Sequence, residues 1–151
     1  MIFLIDEDET QVRPFKTELE IRGLKVISIL SADAALHSLK KRTDIDLAII
    51  DVMLAADTNG DTKDFSRENT KDFKTTGLRL LERLVELNPT VFPNRAVLFS
   101  MATTAEMVSE IKIECGKFGV EFLRKAEFAS PLEFGDKIEE ILTAFQAQEK
   151  D

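Results

Sequence analysis

Four short apolar runs in this chain stop at side chains that could do chemistry together. Ile2-Phe3-Leu4-Ile5 ends in Asp6-Glu7-Asp8-Glu9, Leu47 to Ile50 in Asp51, Ala96 to Phe99 in Ser100, and Val120 to Leu123 in Arg124-Lys125. If the runs are neighbouring strands of one parallel sheet, these residues gather outside its carboxyl edge, where open α/β sheets build their sites. Clustered carboxylates repel one another, and some are pushed to raised pKa values unless a cation neutralises them. A hard divalent ion with oxygen ligands is the natural partner. Mg²⁺ takes one or two carboxylates and fills its shell with waters and phosphate oxygens. A lysine and a hydroxyl opposite such an ion could bind the other oxygens of a phosphoryl group. The set suits phosphoryl transfer to a carboxylate, giving an aspartyl-phosphate.

The elements between these residues must do the positioning. A helical stretch with Val12, Phe15 and Leu19 closes at Gly23, a residue suited to a left-handed C′ position, and Pro14 is expected within about a turn of its start. Lys25 to Leu30 reads as a strand, and Ser31 as the N-cap of a helix to about Arg42. Leu78, Leu81, Leu84, Val85 and Leu87 recur at helical spacing from Gly77 until Asn88-Pro89. Thr103 with Glu106 is expected to box the start of a helix to about Phe118, with Gly119 as its stop. Ser130-Pro131-Leu132-Glu133 is a second such box, with Pro at N1, for a last helix carrying Ile138, Ile141, Leu142 and Phe145. Strands that read as continuous apolar runs are buried on both faces. Their strict alternation with helices predicts a doubly wound parallel α/β sandwich of five βα units. Periodicity alone leaves the strand order open.

The chain has 151 residues, which predicts one domain with a real core. Its 44% apolar content argues against disorder and its 32% charged content against a membrane protein. No segment approaches the ~18 apolar residues that would span a bilayer. The N-terminus lacks the basic region and cleavage site of a signal peptide, so a cytoplasmic location is expected. A net charge of -8 lacks the cationic footprint of a nucleic-acid binder. The single cysteine, Cys115, rules out an internal disulfide and reads as a buried structural thiol, while His37 reads as a surface residue.

Taken in order, Phe3-Leu4-Ile5-Asp6-Glu7-Asp8-Glu9, Asp46 to Leu54 around Asp51, Val97-Leu98-Phe99-Ser100 and Val120 to Lys125 resemble the receiver domain of bacterial two-component response regulators. The resemblance spans essentially the whole chain except residues 55 to 76. It implies a flavodoxin-like (βα)5 fold with strand order 2-1-3-4-5. It implies Asp51 as phosphoacceptor, Asp6 and Glu7 as the acidic metal pocket, and the main-chain carbonyl of Met53 as a further ligand of Mg²⁺ or Mn²⁺. Lys125 would pair with the phosphoryl group, Ser100 would hydrogen-bond its oxygens, and Phe122 would be the aromatic switch. The implied partners are a sensor histidine kinase or histidine phosphotransfer protein and a downstream protein target, with no nucleic acid, no membrane insertion and a possible homodimer through the fourth and fifth helices. The last helix ends close to Asp151, so a stand-alone receiver is expected, one that catalyses only its own phosphorylation and dephosphorylation.

The chain departs from the family pattern at several points. Glu7 stands where Asp is usual, although the carboxylate run also allows the pair Glu7 and Asp8; Asp6 and Glu7 are preferred because the shift would bury Asp6 in the strand. Ala126 follows Lys125 where the family has proline, Met101 follows Ser100 where a small residue is usual, and Ala55 stands at a common proline position. An insertion of about 18 residues separates the Asp51 strand from Gly77, long for a connection in a compact domain. Its Asp57-Thr58-Asn59-Gly60-Asp61 stretch with Glu68 echoes a calcium loop but lacks the glycine at position six, where Thr62 stands. The charged run from Asp61 to Lys74 reads as a solvated arm that could cover the site or meet a partner. The departures motivate a second reading, a degenerate receiver that binds partners without phosphorylation. A hydrolase with an aspartyl intermediate is weaker, since such enzymes usually carry a carboxylate where Met53 stands.

Overall fold

A computed structural model of the chain describes residues 1–56, 64–70, 74–101 and 104–149. Five parallel strands, β1 (Ile2–Ile5), β2 (Val26–Ile29), β3 (Leu47–Asp51), β4 (Ala96–Ser100) and β5 (Glu121–Arg124), form one sheet in the order β2-β1-β3-β4-β5. Every residue of β1, β3 and β4 is buried, as continuous apolar runs require, whereas the edge strands β2 and β5 are partly exposed. Helices α1 (Glu9–Ile21) and α5 (Pro131–Glu149) cover one face around Leu19, Phe134 and Ile138. Helices α2 (Ala32–Leu39), α3 (Thr76–Leu87) and α4 (Ala105–Phe118) cover the other around Leu36, Leu81 and Ile111. No helix among the described residues is long and apolar enough to cross a membrane.

Local chemistry sets most boundaries. Ser31 caps α2 by accepting from the Ala34 N–H, and Gly23 and Gly119 follow α1 and α4 at positive φ. Four details differ from the sequence reading. Thr104 caps α4 through the Met107 N–H, while Thr103 lies outside the described residues. Helix α2 stops at Leu39, three residues before Arg42, because the buried Asn88 amide donates to the carbonyls of Leu39 and Arg42 at 2.9 Å and takes over its end. In the second box Glu133 reaches back to the Ala129 N–H, not to Ser130. Pro14 sits beyond the first turn of α1, whose cap is Asp8; Pro14 and Thr10 are both exposed, so water can serve the carbonyl that the proline leaves without a helical donor.

The insertion also differs. Residues 57–63 and 71–73, and with them the Asp57–Thr62 calcium-loop echo, lie outside the described residues. Residues 64–70 are not a solvated arm. Phe65 and Thr70 are fully buried, Asp64 pairs with Arg83 of α3, and the Asp64 carbonyl accepts from Arg79. Two isolated phenylalanines, Phe65 and Phe73, in a polar stretch are too few to make a period.

Candidate functional site

Asp6, Asp51, Ser100 and Lys125 lie at the carboxyl edge of the sheet, where their strands end. Asp6 follows β1 directly and is 3% exposed. Its Oδ1 accepts from the Asp8 N–H at 2.9 Å and its Oδ2 from the Lys125 ammonium at 2.8 Å. Asp8 is exposed and its side chain caps α1 through the Gln11 N–H, so Asp6 and not Asp8 turns into the sheet edge. Glu7, between them, is exposed at the rim, and partial burial plus the charges of Asp6 and Asp8 raise its pKa.

Asp51 ends β3, where its backbone registers with Phe99 of β4. Burial pushes its pKa up to about 7, and the charge of Asp6 adds to the rise, while Lys125 and a hydrogen bond from the Met53 backbone oppose it. Ser100 is buried at the end of β4 and registers with Arg124. Phe122 is half-buried and packs toward the α2, α3 and α4 side of the sheet. Met53 and Met101 are large exposed apolar residues just beyond β3 and β4.

Two supports were not read from the sequence. The Gly77 N–H donates to the Val52 carbonyl at 2.9 Å, and a Cβ on Gly77 would stand 2.1 Å from the Asp51 carbonyl oxygen. Only glycine fits there, so α3 is seated directly against the backbone of Asp51. On the other side the Lys125 ammonium lies 5.0 Å from the centre of the Phe99 ring, and Phe99 stacks with Phe134 and packs near Phe15 and Phe128. The Lys125–Ala126 peptide is trans, and the chain leaves β5 in a 3₁₀ turn over Lys125–Glu127. Eleven phenylalanines without tryptophan or tyrosine were the visible signal, but nothing in the pattern said which of them would meet.

The donor set suits a hard divalent cation. Asp6 and Asp51 are buried carboxylates whose mutual repulsion is only partly met by Lys125, and the Met53 backbone lies against Asp51. Among the described residues no three acidic, histidine or cysteine side chains come together as a metal-holding group, so Glu7 is not gathered with Asp6 and Asp51, and a Mg²⁺ ion here would rest on one or two carboxylates with waters.

No protein-family model matches the chain, and no curated protein does. Solved structures do. A CheY-like response regulator receiver domain protein from Methanospirillum hungatei JF-1 is 19% identical, with 97% of this chain and 96% of that one covered at a TM-score of 0.68. A response regulator receiver domain protein from Clostridium thermocellum is 17% identical, with 97% of each chain covered at 0.67. A response regulator protein from Burkholderia pseudomallei, solved with a phosphorylated aspartic acid, a calcium ion and citrate, is 20% identical, with 98% of this chain and 71% of that one covered at 0.59. The fold is that of the CheY-like response regulator receiver domains.

Proposed function

We propose that the chain is a receiver domain that accepts a phosphoryl group on Asp51 from a phosphohistidine of a sensor histidine kinase or histidine phosphotransfer protein. The observation that carries the reading is the convergence of Asp6, Asp51, Ser100 and Lys125 at one sheet edge, where burial and the Asp6 charge raise the cost of ionising Asp51. Asp6, Asp51 and the Met53 carbonyl would hold Mg²⁺ or Mn²⁺, with Glu7 at the rim. That ion would supply positive charge to the phosphoryl oxygens and keep Asp51 ionised. An Asp51 carboxylate oxygen forms the new P–O bond as the P–N bond of the phosphohistidine breaks, and the electron pair stays on the imidazole nitrogen. Lys125 and Ser100 bind the phosphoryl oxygens, and Phe122 answers the movement of Ser100. The signal leaves through protein contacts, with a downstream protein or a second copy across α4 and α5, in the cytoplasm. A nucleic-acid partner is not part of the reading, given the net charge of -8.

A second reading, a phosphorylation-independent binding module, is favoured by one observation: the Lys125 ammonium is bonded to Asp6, at the head of a 3₁₀ turn, in place of a proline-set loop. Intact mass after incubation with Mg²⁺ and acetyl phosphate separates the two. The gain of one phosphoryl group, lost in Asp51→Asn, is expected; no gain at any donor concentration selects the second reading.

A further inference from the structure

The insertion between β3 and α3 leaves and rejoins the fold at one point, because the Gly77 N–H closes onto the Val52 carbonyl. Between those ends the chain is fixed repeatedly. Val52, Leu54 and Ala56 are buried alternately with the 41% exposed Met53, and the carbonyls of Ala55 and Ala56 accept from the first N–H groups of α2, those of Ala32 and Asp33. Phe65 then returns to the same buried cluster as Val52, Leu54 and Ala56, with no exposed surface. Asp64 beside it is tied to Arg83 at 2.9 Å by its side chain and to Arg79 at 3.3 Å by its carbonyl. Thr70 completes the turn: its hydroxyl donates to the Ser66 carbonyl, and its own carbonyl accepts from the Thr75 N–H just before α3.

We propose that residues 64–70 are a built-in brace for the loop that follows Asp51, with Phe65 as its plug and Asp64 as its tie. The proposal rests on the reading of Asp51, Asp6 and Met53 as the phosphoacceptor pocket and makes Phe65 a positioning residue for it. A solvated arm would have no reason to bury an aromatic ring and a threonine. A lid would lie on Asp51, whereas this segment is anchored along α3 at Arg79 and Arg83. What the brace controls is Met53, whose backbone donates to the Asp51 carboxylate and whose chain neighbours Val52 and Leu54 are buried in the cluster while its own side chain is exposed. Removing the Phe65 ring leaves a hole in the cluster that seats those neighbours, and the Met53 peptide loses its fixed height over Asp51. Loss of a group that supports a metal site from its outer shell reduces the site's affinity by about 10- to 100-fold.

Two measurements on the full chain test this, amide hydrogen exchange and Mn²⁺ titration, with Ile138→Ala on the opposite face as a control of comparable lost packing. In Phe65→Ala the Met53 amide is expected to lose protection at least about tenfold beyond the amides of β1 and β4, and Mn²⁺ to bind about tenfold more weakly. Phe65→Leu restores both, and Ile138→Ala shows neither selective loss. Asp64→Asn keeps the ring and loosens the tie, so it gives the same selective loss to a smaller extent and decides the matter if Phe65→Ala does not fold. Met53 losing protection only in step with the strands, or Phe65→Ala and Ile138→Ala binding Mn²⁺ alike, overturns the brace. A native chain that binds no Mn²⁺ overturns the reading of the pocket instead, and the exchange result alone then decides the brace.

Discussion

Lys125 and Asp6 face each other at 2.8 Å with only 4% and 2% of their side chains exposed, across a sequence separation of 119 residues. Their strands are not neighbours in the sheet, so the pair bridges the carboxyl edge over β3 and β4. It also places the cation where it acts on both carboxylates, since Lys125 holds the Asp51 pKa down while bonded to Asp6. A buried pair of this kind is costly to break from one side, because the remaining charge is left in a dry site.

Lys125→Met should therefore destabilise the fold by about 3 kcal/mol, and Asp6→Asn by a similar amount. The double variant should lose less than the sum of the two, because neither charge is then stranded. Urea unfolding of the four proteins forms the cycle. Additive losses would mean that the pair is not coupled in solution.

Gly77 and Gly116 should respond to alanine in opposite senses. At Gly77 the new Cβ meets the Asp51 carbonyl oxygen at 2.1 Å, a backbone atom that cannot swing away. Gly77→Ala is expected to cost about 2 kcal/mol or more and to reduce phosphoryl uptake by moving β3 against α3. Gly116 lies exposed in α4 with nothing within 4 Å of its Cβ position, so Gly116→Ala should stabilise by about 0.5–1 kcal/mol. Thermal unfolding reads both signs.

The contrast between these glycines marks what was legible in the sequence. The sheet, its helices and the residues at the strand ends follow from apolar runs that stop at Asp6, Asp51, Ser100 and Lys125, because a parallel sheet forces its carboxyl ends together. The strand order came with the family resemblance, not with periodicity, and the sheet has that order. The close approach of Gly77 to Asp51, the Phe99 ring beneath Lys125 and the burial of Phe65 depend on long-range packing that no local pattern encodes. Pro14 lies deeper in α1 than the rule against interior proline allows, because its face of the helix is wet, which no local pattern encodes.

Cys115 should be inert in the folded chain. It is buried on α4, and burial, with the nearby charge of Glu114, pushes its thiol up to about 11. At pH 8 roughly one thiol in a thousand would then be ionised. Iodoacetamide is expected to label the native protein far more slowly than the urea-unfolded one. Equal rates would place the thiol in solvent.

Asp51 makes the sharpest prediction about pH. Burial and Asp6 raise its pKa from 3.8 to about 7, so ionising it costs more in the folded chain than in the unfolded one. The folded state therefore has its full advantage from this group below about pH 4 and loses it as pH rises through about 7. Taken at face value the shift is worth at most about 4 kcal/mol. Asp51→Asn removes the titration, so its gain in stability over the native chain should be small at pH 4, grow between pH 4 and 7 and level off above. Adding Mg²⁺ at pH 8 should narrow the difference by stabilising the native chain alone, since a cation beside Asp51 offsets the cost of its charge. Melting temperatures of the two proteins from pH 4 to 8, with and without Mg²⁺, read the effect. A difference that does not change with pH would show that Asp51 titrates as an ordinary surface carboxylate.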